Sequence, residues 1–185
     1  MKSGQRVARR RVLAIDPTSK GFGYAVLESP AVLVDWGVKH ARADRNAECL
    51  QQARELIDRY QPEVLVVEDT ALKSSRRCSR AAQLIENLLL MAAGRDLGTR
   101  RISRLQVQRC FSDSSPATKR QVAVAIARRF PELEPYLPPI RKPWMSEDER
   151  MSIFDAVAFG YASYESLLRR RQAFSFSLEA PSSHV

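Results

Sequence analysis

Cysteine and histidine are scarce. Three cysteines (Cys49, Cys78, Cys110) show no CxxC spacing, and two histidines (His40, His184) lie far apart in 185 residues. This argues against a structural zinc site and a disulfide framework, and it suits a reducing cytosol. Long hydrophobic runs are missing too. A membrane span needs about 18–20 consecutive apolar residues and no stretch approaches that, so no membrane association is expected. A secretory leader needs roughly 7–15 apolar residues after its basic start. Here the run after Arg11 is short and is interrupted by the carboxylate of Asp16. There are no internal repeats, and lysine supplies only 6 of the 30 basic residues.

Arginine is what the chain has in excess, 24 residues, and the 30 Lys+Arg against 21 Asp+Glu leave a net charge of +9. The planar guanidinium fork suits phosphate, so nucleic acid is the leading partner class, although genome composition also raises arginine content. An apolar fraction of 44% in 185 residues is enough for one domain with a real core.

Residues 1–11 read as a basic, flexible arm. Residues 12–16, 22–27 and 32–38 are short apolar runs separated by turn residues, which predicts an antiparallel three-stranded meander. Cys49, Ala53, Leu56, Ile57 and Tyr60 recur at helical spacing over residues 47–60. Residues 64–67 form an unbroken aliphatic run, the pattern of a strand buried on both faces. Residues 73–80 form a basic, Ser-rich connection, followed by a helix over 81–93 and a strand over 99–105. A helix over 119–130 and a Pro-rich loop over 131–145 come next. Ser146 and Glu149 match a capping box for a last helix that runs to about Arg169. Residues 170–185 read as a flexible tail. The expected fold is α/β: a mixed five-stranded sheet, three antiparallel strands plus two parallel ones, with helices on both faces, in a single domain over residues 12–169.

Three acids stand out against this frame. Asp16 and Glu68 each close an apolar strand, and Asp155 lies in an almost uncharged helical stretch. A carboxylate in such surroundings is costly to desolvate unless it is paired or binds a cation. Three of them on converging elements would make a hard-oxygen site for Mg²⁺ or Mn²⁺. Taken singly, each has a plain structural reading. Asp16 precedes Pro17 and could be a turn residue, Glu68 could bond a helix N-terminus, and Asp155 could pair with an arginine such as Arg120.

Residues 12–26, with Asp16-Pro17 and Gly23-Tyr24-Ala25-Val26, resemble the first strand and hairpin of RuvC-type Holliday-junction resolvases, within the ribonuclease H-like nucleases. Residues 62–68 are similar to that family's second acidic strand, residues 118–123 to its lysine-bearing helix, and residues 154–158 to its final acidic helix. The resemblance implies a ribonuclease H-like fold and a metal-dependent, structure-selective DNA endonuclease that acts on branched DNA by two-metal catalysis. It implies Asp16, Glu68 and Asp155 as catalytic metal ligands for Mg²⁺, with Mn²⁺ as a substitute. Lys119 would lie near the scissile phosphate, and Lys73, Arg76, Arg77 and Arg80 would contact DNA. It further implies four-way junctions as substrate, a homodimer, no nucleotide cofactor, and a cytoplasmic, nucleoid-associated location. The apolar face Leu84, Ile85, Leu88 and Leu89 is a candidate interface, core packing being the alternative use.

One position departs from the family. Resolvases of this type carry a second acid or a histidine one helical turn before the last aspartate, where this chain has Ser152. Asp148 and Glu149 lie two turns back on a continuous helix, about 10.5 Å away along its axis. A weakened nuclease that binds branched nucleic acid, and an RNA-processing nuclease of the same fold, are therefore alternatives. A nucleotide-binding ATPase of the actin type, which needs two such domains, is not expected of 185 residues.

Overall fold

A computed structural model describes residues 10–42, 44–70, 79–112, 115–142, 144 and 146–178, with side chains in the last helix described to Ser166. The uninterrupted aliphatic stretches become central strands. β1 (Val12–Pro17) and β4 (Val64–Glu68) are buried along their whole length. β2 (Gly21–Ser29) and β3 (Val32–His40) complete the meander, and β5 (Gly98–Ile102) lies beyond β4. The order across the sheet is β3-β2-β1-β4-β5, with β1, β4 and β5 parallel and the other pairings antiparallel.

Side chains alternate across a strand, and the two faces are assigned accordingly. Leu13, Ile15, Leu65 and Val67 face α1 (Arg45–Tyr60) and α2 (Ser79–Ala93). Val12, Ala14, Val64 and Val66 face α4 (Lys119–Arg129) and α5 (Met151–Leu178). By the same parity Asp16 and Glu68 belong to the second face. Gly23, the register partner of Asp16, allows α5 to approach: a Cβ there would lie 2.4 Å from the Ser152 carbonyl.

The meander, the five-stranded mixed sheet and both helical layers match the expectation, but four local features differ. The strand expected over 99–105 stops at Ile102, and α3 (Arg104–Cys110) begins at once. Ser103 caps it, accepting from Gln106 N while Gln106 Oε1 accepts from Ser103 N. The Pro-rich loop contains a 3-10 helix, Pro131–Tyr136. The last helix is not opened by Ser146. The Asp148 carboxylate accepts from Arg150 N at 3.0 Å and from its guanidinium at 2.6 Å, so the helix starts at Met151. It also runs to Leu178, well past Arg169 and into the expected tail.

At the other end, Arg11 is tied down, donating to Tyr60 O at 2.6 Å and pairing with Glu28. The rest of the expected arm, residues 1–9, lies outside the described residues. Leu84, Ile85 and Leu88 are fully buried inside the chain, so most of the proposed interface face on α2 is core. Among the described residues no helix is long and apolar enough to cross a membrane.

Candidate active site

The carboxylates of Asp16 and Glu68 sit at the C-terminal ends of neighbouring parallel strands, one residue beyond the paired Ile15 and Val67. Asp155, one turn into α5, comes down onto the same face. All three are buried, at 3%, 2% and 6% exposure. Ionised acids at that depth need positive charge close by. Two cations of the chain provide it, each from the first residue of a capped helix.

Arg104 opens α3. Its Nε donates to Glu68 Oε1 at 3.0 Å, its Nη2 to Oε2 at 3.4 Å, and its Nη1 to Asp155 Oδ1 at 3.5 Å. The guanidinium thus bridges two of the three acids and also stacks over Phe159. Lys119 opens α4 behind a reciprocal Thr118–Gln121 cap. Its ammonium lies 2.7 Å from Asp155 Oδ2 and 2.7 Å from Glu147 Oε1. Burial pulls the Lys119 pKa down, but the charges of Asp155 and Asp16 outweigh it and leave the ammonium more basic than usual. Lys119 is therefore a fixed positive charge at neutral pH. Asp155 pairs with these two cations and not with Arg120, which instead donates to Pro138 O.

Asp16, Arg104, Lys119 and Ser152 share a cleft of about 550 Å³ with the Pro17–Lys20 turn and the Ser146–Glu149 segment. A second hollow of about 250 Å³ adjoins it and is lined by Arg104, Lys119, Asp155 and Phe159. Among the described residues no three His, Cys, Asp or Glu side chains are arranged as a ready-made metal cage. The chemistry of the donors still fits a hard divalent ion: three buried carboxylates converge, and the charge on Asp155 Oδ2 is met by an ammonium, that of Lys119 at 2.7 Å, which a cation could replace. Arg104 and Lys119 supply charge that compensates these acids.

The remaining expected residues divide. Arg80 donates to Thr18 O and, at 3.1 Å, to Asn46 Oδ1, so its guanidinium fastens the turn beside Asp16 to α1 and α2. Lys73, Arg76 and Arg77 lie outside the described residues. The hydroxyl of Ser152 donates to Glu149 O at 2.6 Å. Sequence reasoning missed Arg104 and Glu147. The string Ser103-x-x-Gln106, a capping box, is the signal that would have placed Arg104 at a helix start.

No curated protein sequence matches the chain. Among solved structures it is similar to Thermus thermophilus RuvC, with a TM-score of 0.64 and 17% identity over 85% of this chain and 96% of that one. It is also similar to T. thermophilus RuvC in complex with a Holliday junction substrate, with a TM-score of 0.63 and 16% identity over 86% of this chain and 96% of that one. The yeast mitochondrial Holliday junction resolvase gives a TM-score of 0.60 and 16% identity over 92% of this chain and 85% of that one. These likenesses establish the ribonuclease H-like fold. The family model described as crossover junction endodeoxyribonuclease RuvC matches residues 12–139, which include Asp16, Glu68, Arg104 and Lys119 and stop short of Ser152 and Asp155. That match spans well over half of the sequence, and the chain belongs to the crossover junction endodeoxyribonuclease RuvC family.

Proposed function

We propose that the protein is a Mg²⁺-dependent endonuclease that cuts branched DNA, four-way junctions above all, and works as a homodimer. The observation that carries this reading is the convergence of buried Asp16, Glu68 and Asp155 at one end of the sheet, beside a cleft walled by Arg104 and Lys119. Family membership supports the reaction class, and the junction complex of the T. thermophilus relative supports the substrate.

Asp16, Glu68 and Asp155 would hold the cation. A divalent ion bound there, or a pair of them, supplies activation of a water and neutralisation of charge on the phosphate. Lys119, held protonated by its acidic neighbours, and Arg104 offer positive charge to a phosphate entering the cleft. Hydrolysis adds the water oxygen to phosphorus and breaks the P–O3′ bond. The water's proton ends on the 3′-oxygen, leaving 5′-phosphate and 3′-hydroxyl ends. Lys73, Arg76 and Arg77 would contact the DNA, while Arg80 fastens the start of α2 to the Thr18 turn. A four-way junction presents two symmetric cuts, which two copies related by a two-fold axis would make. On α2 the exposed Leu90 and half-buried Leu89 remain available for such a partner.

The test is incubation of four-way, forked and linear DNA with Mg²⁺ or Mn²⁺, beside Asp16→Asn. Junction cleavage that the variant loses is the expected result. Cleavage retained by the variant, or no cleavage of any substrate by the wild type, would sink the proposal. One observation favours a second reading, a branched-DNA-binding protein with weakened chemistry. Ser152 adds no charge, and its hydroxyl is engaged with Glu149 O. Tight junction binding without metal-dependent cutting would favour it, and RNA competitors in the same assay address an RNA substrate.

A further inference from the structure

The missing acid at position 152 leaves the site one carboxylate short of its family, and another side chain reaches the same place. We propose that Glu147 supplies the fourth carboxylate of the metal site. This deepens the metal-dependent reading above and rests on it.

On a continuous helix, residue 147 would lie two turns from Asp155 and far from its carboxylate. The helix is not continuous. It starts at Met151, and the chain before it turns through short-range bonds, Met151 N to Asp148 O at 3.0 Å and Ser152 N to Glu149 O at 3.1 Å. That turn carries Glu147 back over the cleft. Its Oε1 lies 2.7 Å from Lys119 Nζ, which is also 2.7 Å from Asp155 Oδ2, so the two acids share one ammonium. The two oxygens are therefore no more than about 5.4 Å apart. Asp16 acts on the same ammonium and lines the same cleft. A lysine ringed by three acids marks a spot of concentrated negative charge, which is where a divalent ion would compete with Lys119.

Two further observations bear on Glu147. Asp155 Oδ2 is buried and meets the Lys119 ammonium at 2.7 Å, so an ion taking the place of that ammonium would find a desolvated carboxylate oxygen. The Glu147 side chain is 48% exposed, so it has room to rotate toward an ion in a way the buried acids do not. The neighbouring acid Asp148 is committed elsewhere, since it caps the turn and pairs with Arg150 at 2.6 Å.

The test titrates the full chain with Mn²⁺ alone, by calorimetry and by electron paramagnetic resonance of free Mn²⁺, with thermal melts to check folding. Glu147→Gln should weaken Mn²⁺ binding by about 10-fold or more, the scale of losing a partner in a metal site. Glu147→Asp should recover part of it. Glu149→Gln removes an equal charge from the same turn, leaves the Asp148–Arg150 bonds in place and should change the affinity far less, since the Glu149 carboxylate lies toward His40 at 3.8 Å. Wild-type affinity in Glu147→Gln, or an equal loss in Glu149→Gln, overturns the proposal while leaving the three-acid site standing. If the wild type binds no Mn²⁺, the metal-dependent reading falls and this inference falls with it.

Discussion

Arg104 makes the sharpest prediction, because it pairs with two of the three buried acids and should lose that role when an ion is bound. The perturbation is Arg104→Met, which removes the charge and keeps an apolar stem against Phe159. The guanidinium lies 3.0 Å from Glu68 and 3.5 Å from Asp155. At an effective dielectric near 20, each contact is worth roughly 5 kcal/mol before desolvation is counted. Deleting one partner of a buried pair typically costs about 3–5 kcal/mol. The Arg104 side chain is 38% exposed, and water entering beside the acids would offset part of that. We therefore expect a loss of about 2–3 kcal/mol in EDTA, or roughly 4–12 °C in Tm for a chain of this size.

Calorimetric melts in EDTA and in saturating Mn²⁺ read both halves of the argument. Mn²⁺ at 100 times its Kd should stabilise the wild type by about 2.7 kcal/mol. It should stabilise the variant more, because no guanidinium competes for Glu68 and Asp155, and the gap between the two proteins should narrow. Equal melting in EDTA would show that Arg104 does not compensate the buried acids. A gap unchanged by Mn²⁺ would place its contribution outside the site and refute the competition.

The close approach of α5 to the sheet predicts an order of two glycine variants. Gly23→Ala puts a Cβ 2.4 Å from the Ser152 backbone, which cannot yield without moving the helix, so it should cost about 1–3 kcal/mol in urea unfolding. Gly160→Ala clashes with the Leu27 Cδ1 methyl at 2.5 Å, a side-chain end that can turn away, and gains helix propensity of about 1 kcal/mol, so it should cost less, and the reverse order would refute this packing. The bond from Arg150 lowers the Asp148 pKa and that from Arg101 lowers the Glu86 pKa. Both carboxyls therefore titrate below their unfolded values, and their contribution is full above about pH 5 and lost as pH falls through the folded pKa values. Urea midpoints from pH 6 to 2.5 should fall less steeply for Glu86→Gln/Asp148→Asn than for the wild type; parallel curves would contradict the assignment.

The central fold was legible because it rests on burial. The unbroken aliphatic stretches of β1 and β4 can only be satisfied by a sheet covered on both faces, and the period of Cys49, Ala53, Leu56 and Ile57 demands a helix with one apolar side. The acids were legible for a related reason. A carboxylate closing such a strand stands out against its neighbours, and strand parity then puts Asp16 and Glu68 on one face. What failed was reading where elements start. Thr99, Arg100, Arg101 and Ile102 read as a strand, and nothing apolar marks its end, so the expected strand ran on to Leu105 and hid Arg104. The cap Ser103–Gln106 ends it, because two reciprocal bonds satisfy helix N–H groups that a longer strand would leave open.

The same string misled at the last helix. Ser146-x-x-Glu149 has the form of a capping box, yet a carboxylate two residues inside it wins the competition. Asp148 accepts from the Arg150 N–H and also binds the Arg150 guanidinium, and a charge-assisted pair of bonds outweighs a neutral serine hydroxyl. The helix start moves to Met151, and this small shift decides the chemistry of the cleft. On a helix begun at Ser146, Glu147 would be carried along the axis away from Asp155, and Ser152 would read as a simple loss of charge. On the observed turn Glu147 meets Lys119 opposite Asp155, and the acid count of the site becomes four while position 152 stays neutral. Whether position 152 weakens this site therefore depends on a competition between two caps, not on Ser152 alone.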